Sequence, residues 1–338
     1  MPDTSTTILP YATRPRPNWS AVVASQQAVL AILILVEISI FSFTGTNFFS
    51  RDNAFETLRQ SLEVGLLAVA LTPVIVTGGI DLSVGSLMGL TAVIFGKLWR
   101  DAHWPVWLAA AGALGVGLLA GLLNGVLITR LRIRPLIVTL GSFSLFRGLA
   151  EGVTRAVDNF TGFPESFTRL GQGYLFNVIP VQLIVLIVIS IVFWAFLHRT
   201  TIGRALVAIG FAPDGARYAG IPVNRRILLV YVLSGFVSSL AAIVYVAHWG
   251  QAKADAGTGY ELLAITAVVL GGTSIFGGRG SVAGSLLGWL AIAVLQQGLT
   301  LSDLPKELGG ILTGVLLIAA IVVNQLLSSF TSRRRGAQ

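Results

Sequence analysis

The chain is written in long apolar runs separated by short polar stretches. A run of about 20 residues, coiled as a helix, crosses a hydrocarbon core about 30 Å thick. The pattern predicts ten such segments, at 21–43, 57–77, 82–98, 105–129, 136–153, 179–197, 227–248, 261–273, 282–299 and 308–327. The third and eighth are short. Each adjoins a glycine-rich break, Gly78-Gly79-Ile80-Asp81-Leu82-Ser83 and Gly271-Gly272-Thr273-Ser274 through Gly280. Glycine also recurs at every fourth position in Gly117, Gly121 and Gly125 and in Gly280, Gly284 and Gly288. On a helix that spacing lines one face with small residues and lets a neighbouring backbone come close. The first run lacks a small-residue cleavage site and is longer than a signal-peptide core, which predicts a retained helix. The expected fold class is an all-α membrane protein. A proline-rich tail (1–20) should precede a transmembrane domain (21–327), and a basic tail (328–338) should follow it.

Composition agrees. Of 338 residues, 54% are hydrophobic and only 11% charged, whereas an average soluble domain is roughly a quarter charged. So few charges cannot cover a water-facing surface. The absence of cysteine excludes disulfides and thiolate metal sites. His103, His198 and His248 are too scattered to form a metal cluster. No nucleophile–base pair suggests an enzyme, and no Gly-x-x-x-x-Gly-Lys-Ser/Thr loop is present to hold a nucleotide.

The net charge of +8 does not point to nucleic acid, because the arginines collect on alternate connections. With the N-terminus inside, the inner connections carry Arg130, Arg132, Arg134, Arg199, Arg204, Arg217, Arg225, Arg226, Arg279 and the Arg333, Arg334, Arg335 cluster. The outer connections carry fewer basic residues. The asymmetry predicts cytoplasmic termini and an even number of spans in a lipid bilayer.

Two connections are long. The outer one, 151–178, mixes Asp158, Asn159, Phe160, Phe163, Glu165, Phe167 and Arg169. It suits either a docking surface for an external partner or a self-packed cap. The inner one, 200–224, contains Pro213 and Asp214, a helix-start signal, and then Gly220 and Pro222, a stop. It predicts a short helix at 213–219, too polar to span the bilayer and too short to stand alone.

Candidates for a solute pathway come from the breaks and from polar groups within the spans. Irregular backbone at membrane depth is tolerated where it is buried or lines a cavity, and buried ionisable groups are costly. The candidates are Asp81, Ser83, Asn124, Thr139, Ser142 and Gln296, with Glu37, Glu63, Ser144 and Gln297 also in or near spans. Helix–helix hydrogen bonding is the competing role for Asn124 and Thr139. For Asp81 it is capping of a helix beginning near Leu82.

The pattern Gly203-Arg204-x-x-x-Ala208-x-Gly210, continued by Ala216-Arg217-x-x-Gly220-Ile221, resembles the cytoplasmic coupling loop of the ribose-type sugar permeases of bacterial ABC importers. Gly78 through Ser86 looks like that family's signature. Gly121-Leu122-Leu123-Asn124-Gly125, Pro135 through Gly141 and Val269 through Ser274 match it too. The resemblance covers roughly residues 55–325. One departure lies at Ala212, where the family usually has Asn, and Pro213 follows. The resemblance implies a ten-helix permease fold similar to the vitamin B12 importer's, in a bacterial inner membrane. It further implies a second permease copy or related permease, an extracytoplasmic sugar-binding protein, and a cytoplasmic ATPase that holds ATP and Mg. It places the contact with that ATPase on Gly203, Arg204, Ala208, Gly210, Pro213, Asp214, Ala216, Arg217 and Gly220. The expected cargo is a pentose or deoxyhexose such as ribose or rhamnose, with an autoinducer-type furanose as the alternative. An ion-coupled secondary transporter using Glu37, Glu63 and Asp81 is the rival of a different class.

Overall fold

A computed structural model describes residues 26–319 except 156, 177, 306 and 307, together with 322. The two predicted tails and the outermost parts of the first and last predicted segments lie outside the described residues. Among the described residues fourteen helices follow in order. The first seven are α1 (Gln26–Thr44), α2 (Arg51–Gln60), α3 (Leu62–Val76), α4 (Val84–Arg100), α5 (Val106–Thr129), α6 (Pro135–Thr154) and α7 (Glu165–Gln172). The rest are α8 (Val181–Arg199), α9 (Thr201–Phe211), α10 (Pro213–Tyr218), α11 (Val223–Trp249), α12 (Tyr260–Leu270), α13 (Val282–Leu301) and α14 (Leu308–Ala319).

Each expected segment contains a helix at its place in the chain. Six are long and apolar enough to cross a membrane: α1, α5, α6, α8, α11 and α13. The pair α2 and α3, bent by 52°, makes a seventh if it is one span. The chain is a multi-pass helical membrane protein.

Burial separates an inner from an outer layer. Every residue of α3 is buried, as expected for a helix that is apolar all round. The outer helices present large apolar side chains to the surroundings, among them Leu35, Leu119, Ile137 and Ile191, each more than half exposed. Such a surface is stable against lipid tails and not against water. The predicted glycine stripes lie at the closest helix contacts. Gly117 faces Gly235 and Ser239, Gly121 faces the Tyr231 backbone, and Gly284 and Gly288 face Gly271 and Ala267.

The bend between α2 and α3 has an identifiable brace. Trp289 on α13 donates its indole N–H to the Ser61 carbonyl at the bend (2.7 Å), and its ring lies on Gly65, one turn further on. The same carbonyl also accepts from the Gly65 N–H of α3 at 3.2 Å, so the indole adds a second bond from a neighbouring helix at the first turn after the bend.

One end of the bundle carries a cap. Strand β1 (Phe160–Thr161) pairs antiparallel with β4 (Gln251–Ala252), placing Phe160 opposite Ala252. Strand β2 (Tyr174–Leu175) pairs with β3 (Ile179–Pro180). Phe163 stacks on Phe95 and Trp99, at 5.1 and 4.5 Å between centroids, and Phe167 closes on Phe95 at 5.0 Å. Phe160, Phe163 and Phe167 are buried. Three aromatics of the long 151–178 connection, Phe160, Phe163 and Phe167, are therefore spent on a self-packed cap, while Phe176 stands 90% exposed.

Candidate functional site

At the opposite end lies the inner connection. Its first half, where no helix is predicted from sequence, is the helix α9. Thr200 caps it by accepting from the Gly203 N–H at 3.1 Å, and Leu206 and Ile209 point inward. A short turn at Ala212 leads into α10, which carries Pro213 in its first turn and ends one residue before the predicted 219. Asp214 and Arg217 pair across one turn at 2.7 Å, an exposed contact worth a few tenths of a kcal/mol. Of α10 only Ala216 is buried, in a small cluster with Ile209 and Val223. Phe211 and Tyr218 stand 66% and 94% exposed on either side of it. Exposed aromatics flanking a helix held by one alanine make a surface suited to a partner.

This segment is seated on both glycine-rich breaks. The Gly278 N–H, from the second break, donates to the Val76 carbonyl at the mouth of the first at 2.8 Å. Gly210 of α9 lies against the same carbonyl and the same N–H, so closely that a β-carbon would collide with both. Gly78, Gly277 and Gly278 hold positive φ, near +80°, a conformation open to glycine at little cost. The sequence shows three separate glycine clusters. Their meeting at one junction is visible only in the fold.

Four of the six pathway candidates form one closed chain of hydrogen bonds. Ser142 Oγ donates to Asn124 Oδ1 (2.5 Å), and Asn124 Nδ2 donates to Ser83 Oγ (2.9 Å). Ser83 in turn donates its hydroxyl (2.6 Å) and its backbone N–H (3.0 Å) to Asp81 Oδ1. The second carboxylate oxygen accepts from Ser234 Oγ at 3.0 Å. Thr139 lies beside this chain and donates to the Ile80 carbonyl at 3.0 Å. All of these groups are buried. Asp81 thus orders the turn ahead of α4, which begins at Val84 and not near Leu82. The network ties α4, α5, α6 and α11 together. Ser234 was not singled out from sequence, since a serine inside an apolar run carries no signal of its own.

Gln296 lies elsewhere. It lines a cavity of about 240 Å³ at the bend between α2 and α3, together with Thr57, Gln60, Ser61, Gln297, Thr300 and the start of α14. A second cavity, about 580 Å³, adjoins it at Gln297 and is lined by Arg51, Asp52, Glu56 and Tyr174. Both are on the capped side, away from α9 and α10. Glu37 and Glu63 are buried apart from these features, and Glu63 Oε1 is 3.4 Å from His248 Nδ1. Ser144 is exposed on α6.

A lipid-facing helical bundle, small-residue packing, broken helices and an anchored inner helix define the class: a membrane permease. The sequence profile described as the permease component of the branched-chain amino acid transport system matches residues 53–321, and the chain belongs to that family. It is 39% identical over 298 residues to the autoinducer 2 import system permease protein LsrD of Photorhabdus luminescens, covering 87% of this chain and 89% of that one. It is 37% identical over 301 residues to LsrD of Escherichia coli K12, covering 88% and 91% respectively. The same figures hold for LsrD of Shigella flexneri. No solved structure matches the chain.

Proposed function

We propose that this chain is the membrane-spanning subunit of an ATP-driven importer and that its cargo is a small furanose of the autoinducer 2 type. The relatives favour that cargo over the pentose or deoxyhexose expected from sequence. Their lengths match this chain almost end to end, so the likeness is not confined to a shared module. The observation that carries the importer reading is the seat of α9 and α10. A helix held by one buried alanine, flanked by exposed Phe211 and Tyr218, rests through Gly210 on both breaks of the bundle. A push on α10 from a cytoplasmic partner would reach α3, α4, α12 and α13 through backbone contact.

In this reading ATP and Mg belong to the partner ATPase, which docks on Gly203, Arg204, Ala208, Gly210, Pro213, Asp214, Ala216, Arg217 and Gly220. An extracytoplasmic binding protein delivers the solute to the capped side. A second permease copy or a related permease completes the pathway. All ten segments cross the inner membrane in an arrangement similar to the vitamin B12 importer's, with both termini in the cytoplasm. The chain itself performs no covalent chemistry.

The test is uptake into proteoliposomes containing this chain, its ATPase and its binding protein. Autoinducer 2 should accumulate only with ATP inside the ATPase-facing compartment, and ahead of ribose or rhamnose. Full-speed uptake in vesicles lacking the ATPase would end the proposal. Uptake abolished by a protonophore while ATP is maintained would put the ion-coupled carrier in its place.

A further inference from the structure

The cavity at the bend between α2 and α3 has an unusual polar lining. Each of its hydroxyl groups already donates to a backbone carbonyl one turn earlier: Thr57 to Asn53 (2.8 Å), Ser61 to Thr57 (3.0 Å) and Thr300 to Gln296 (2.9 Å). Two of its amides are also engaged as donors, Gln60 Nε2 on Glu56 (2.9 Å) and Gln297 Nε2 on Asn53 (2.7 Å). What remains unengaged is the acceptor capacity of the three hydroxyl oxygens and of the Gln60 and Gln297 side-chain carbonyls, with one further N–H on each of those two amides. Gln296 alone keeps a side-chain amide with no hydrogen bond among the described residues. Among the described residues no charged side chain lines this cavity, in contrast to the adjoining one with Arg51, Asp52 and Glu56.

We infer that this cavity is a binding site for an uncharged, polyhydroxylated small molecule, with Gln296, whose whole amide is free, as its orienting residue. A ligand whose hydroxyls both donate and accept answers an uncharged lining of hydroxyls and side-chain amides. A phosphorylated sugar or a zwitterionic amino acid brings charges for which the lining offers no partner, and an unpaired charge taken from water is strongly disfavoured. A volume of about 240 Å³ lies below the range of about 300–1,000 Å³ common for drug-sized ligands, which suits a single small ring. The inference deepens the importer reading and rests on it only in calling the ligand a cargo.

The chain has no cysteine, so a single introduced thiol reports the site. With Thr300→Cys in the full chain in membranes, the rate of modification by a small neutral maleimide is measured alone and with autoinducer 2, L-leucine or ribose 5-phosphate. Autoinducer 2 should slow labelling several-fold and the two charged compounds should not. Adding Gln296→Met should weaken that protection about three- to tenfold, the share of one hydrogen bond to the ligand. Gln296→Asn, which keeps the amide on a shorter arm, should weaken it less. The unprotected labelling rate shows whether each variant holds its fold. Equal protection by leucine, no protection by autoinducer 2, or protection indifferent to both Gln296 variants would overturn the site. Protection without ATP-dependent uptake would sink the importer reading and leave the site standing. Uptake without protection would do the reverse.

Discussion

Trp289 and Ser61 are 228 positions apart in the chain, and the indole N–H of one donates to the carbonyl of the other at 2.7 Å. The contact sits where α2 turns into α3, on the wall of the polar cavity, because Ser61 belongs to both. It fixes the angle of the bend from outside the bent pair. The ring adds a second restraint by lying on Gly65.

Separating those two contributions is a direct test. Trp289→Phe keeps an aromatic ring and removes the donor, and should cost about 1 kcal/mol of stability. Trp289→Ala also leaves a void and should cost about 3–5 kcal/mol. Thermal unfolding midpoints in detergent would order the two. If the variants were equally destabilised, the hydrogen bond would hold no special place in the bend.

The buried chain Ser142–Asn124–Ser83–Asp81 predicts a loss of stability before any loss of selectivity. Asn124→Ala strands the Ser142 hydroxyl and removes the donor that the Ser83 oxygen accepts from, and should cost about 1–3 kcal/mol. Adding Ser142→Ala should cost less than the separate losses suggest, because the two share one bond. Membrane expression and unfolding would fall together with uptake. A variant that folds at full stability and still fails to transport would move Asn124 from brace to pathway.

Gly210 should be intolerant of any side chain. Gly210→Ala pushes a methyl into the Val76 carbonyl and the Gly278 N–H, so α9 shifts or the junction opens. Uptake should drop strongly while the partner ATPase keeps hydrolysing. Measuring ATP consumed per solute moved distinguishes this from misfolding, in which both would vanish.

Asp214→Arg replaces an exposed acid in the first turn of α10 by a base, at the positive end of the helix. The bundle should remain folded, since Asp214 is 83% exposed at its side chain, and coupling should weaken. Unchanged transport would count against α10 as the point of contact.

Sidedness is open to thiol labelling. Cysteines at Asn159 and Lys253 should react with an impermeant maleimide from outside, and one at Arg217 only after permeabilisation. The reverse pattern would invert the topology.

The apolar runs made the spans legible, because length against bilayer thickness is a one-dimensional criterion. The α10 start at Pro213 and its stop near Gly220 were equally plain. The convergence of Asp81, Asn124 and Ser142 was not, because their distances along the chain say nothing about which helix faces meet. All stood among the pathway candidates, with a structural role favoured for Asp81 and Asn124, and the fold places the group inside the packing while Gln296 and Gln297 line a cavity. The helix α9 was missed although Thr200 at its start and the Ile202, Leu206, Ile209 spacing were present. Gly203 and Gly210 obscured them, and what those glycines serve is contact with other segments, at Leu197 and at Val76 and Gly278.

The ladder between Phe160 and Ala252, backed by stacked rings on α4, divides the rim of the outer mouth into unlike halves. One is a stiff plate, stitched across a hundred residues of chain and filled with aromatic carbon. The other, around the α2–α3 elbow, is hollow and lined by polar side chains. Under the proposed function, a delivery protein landing there would meet a filled ledge on one side and a hollow one on the other, and its footprint would decide which of them it covers.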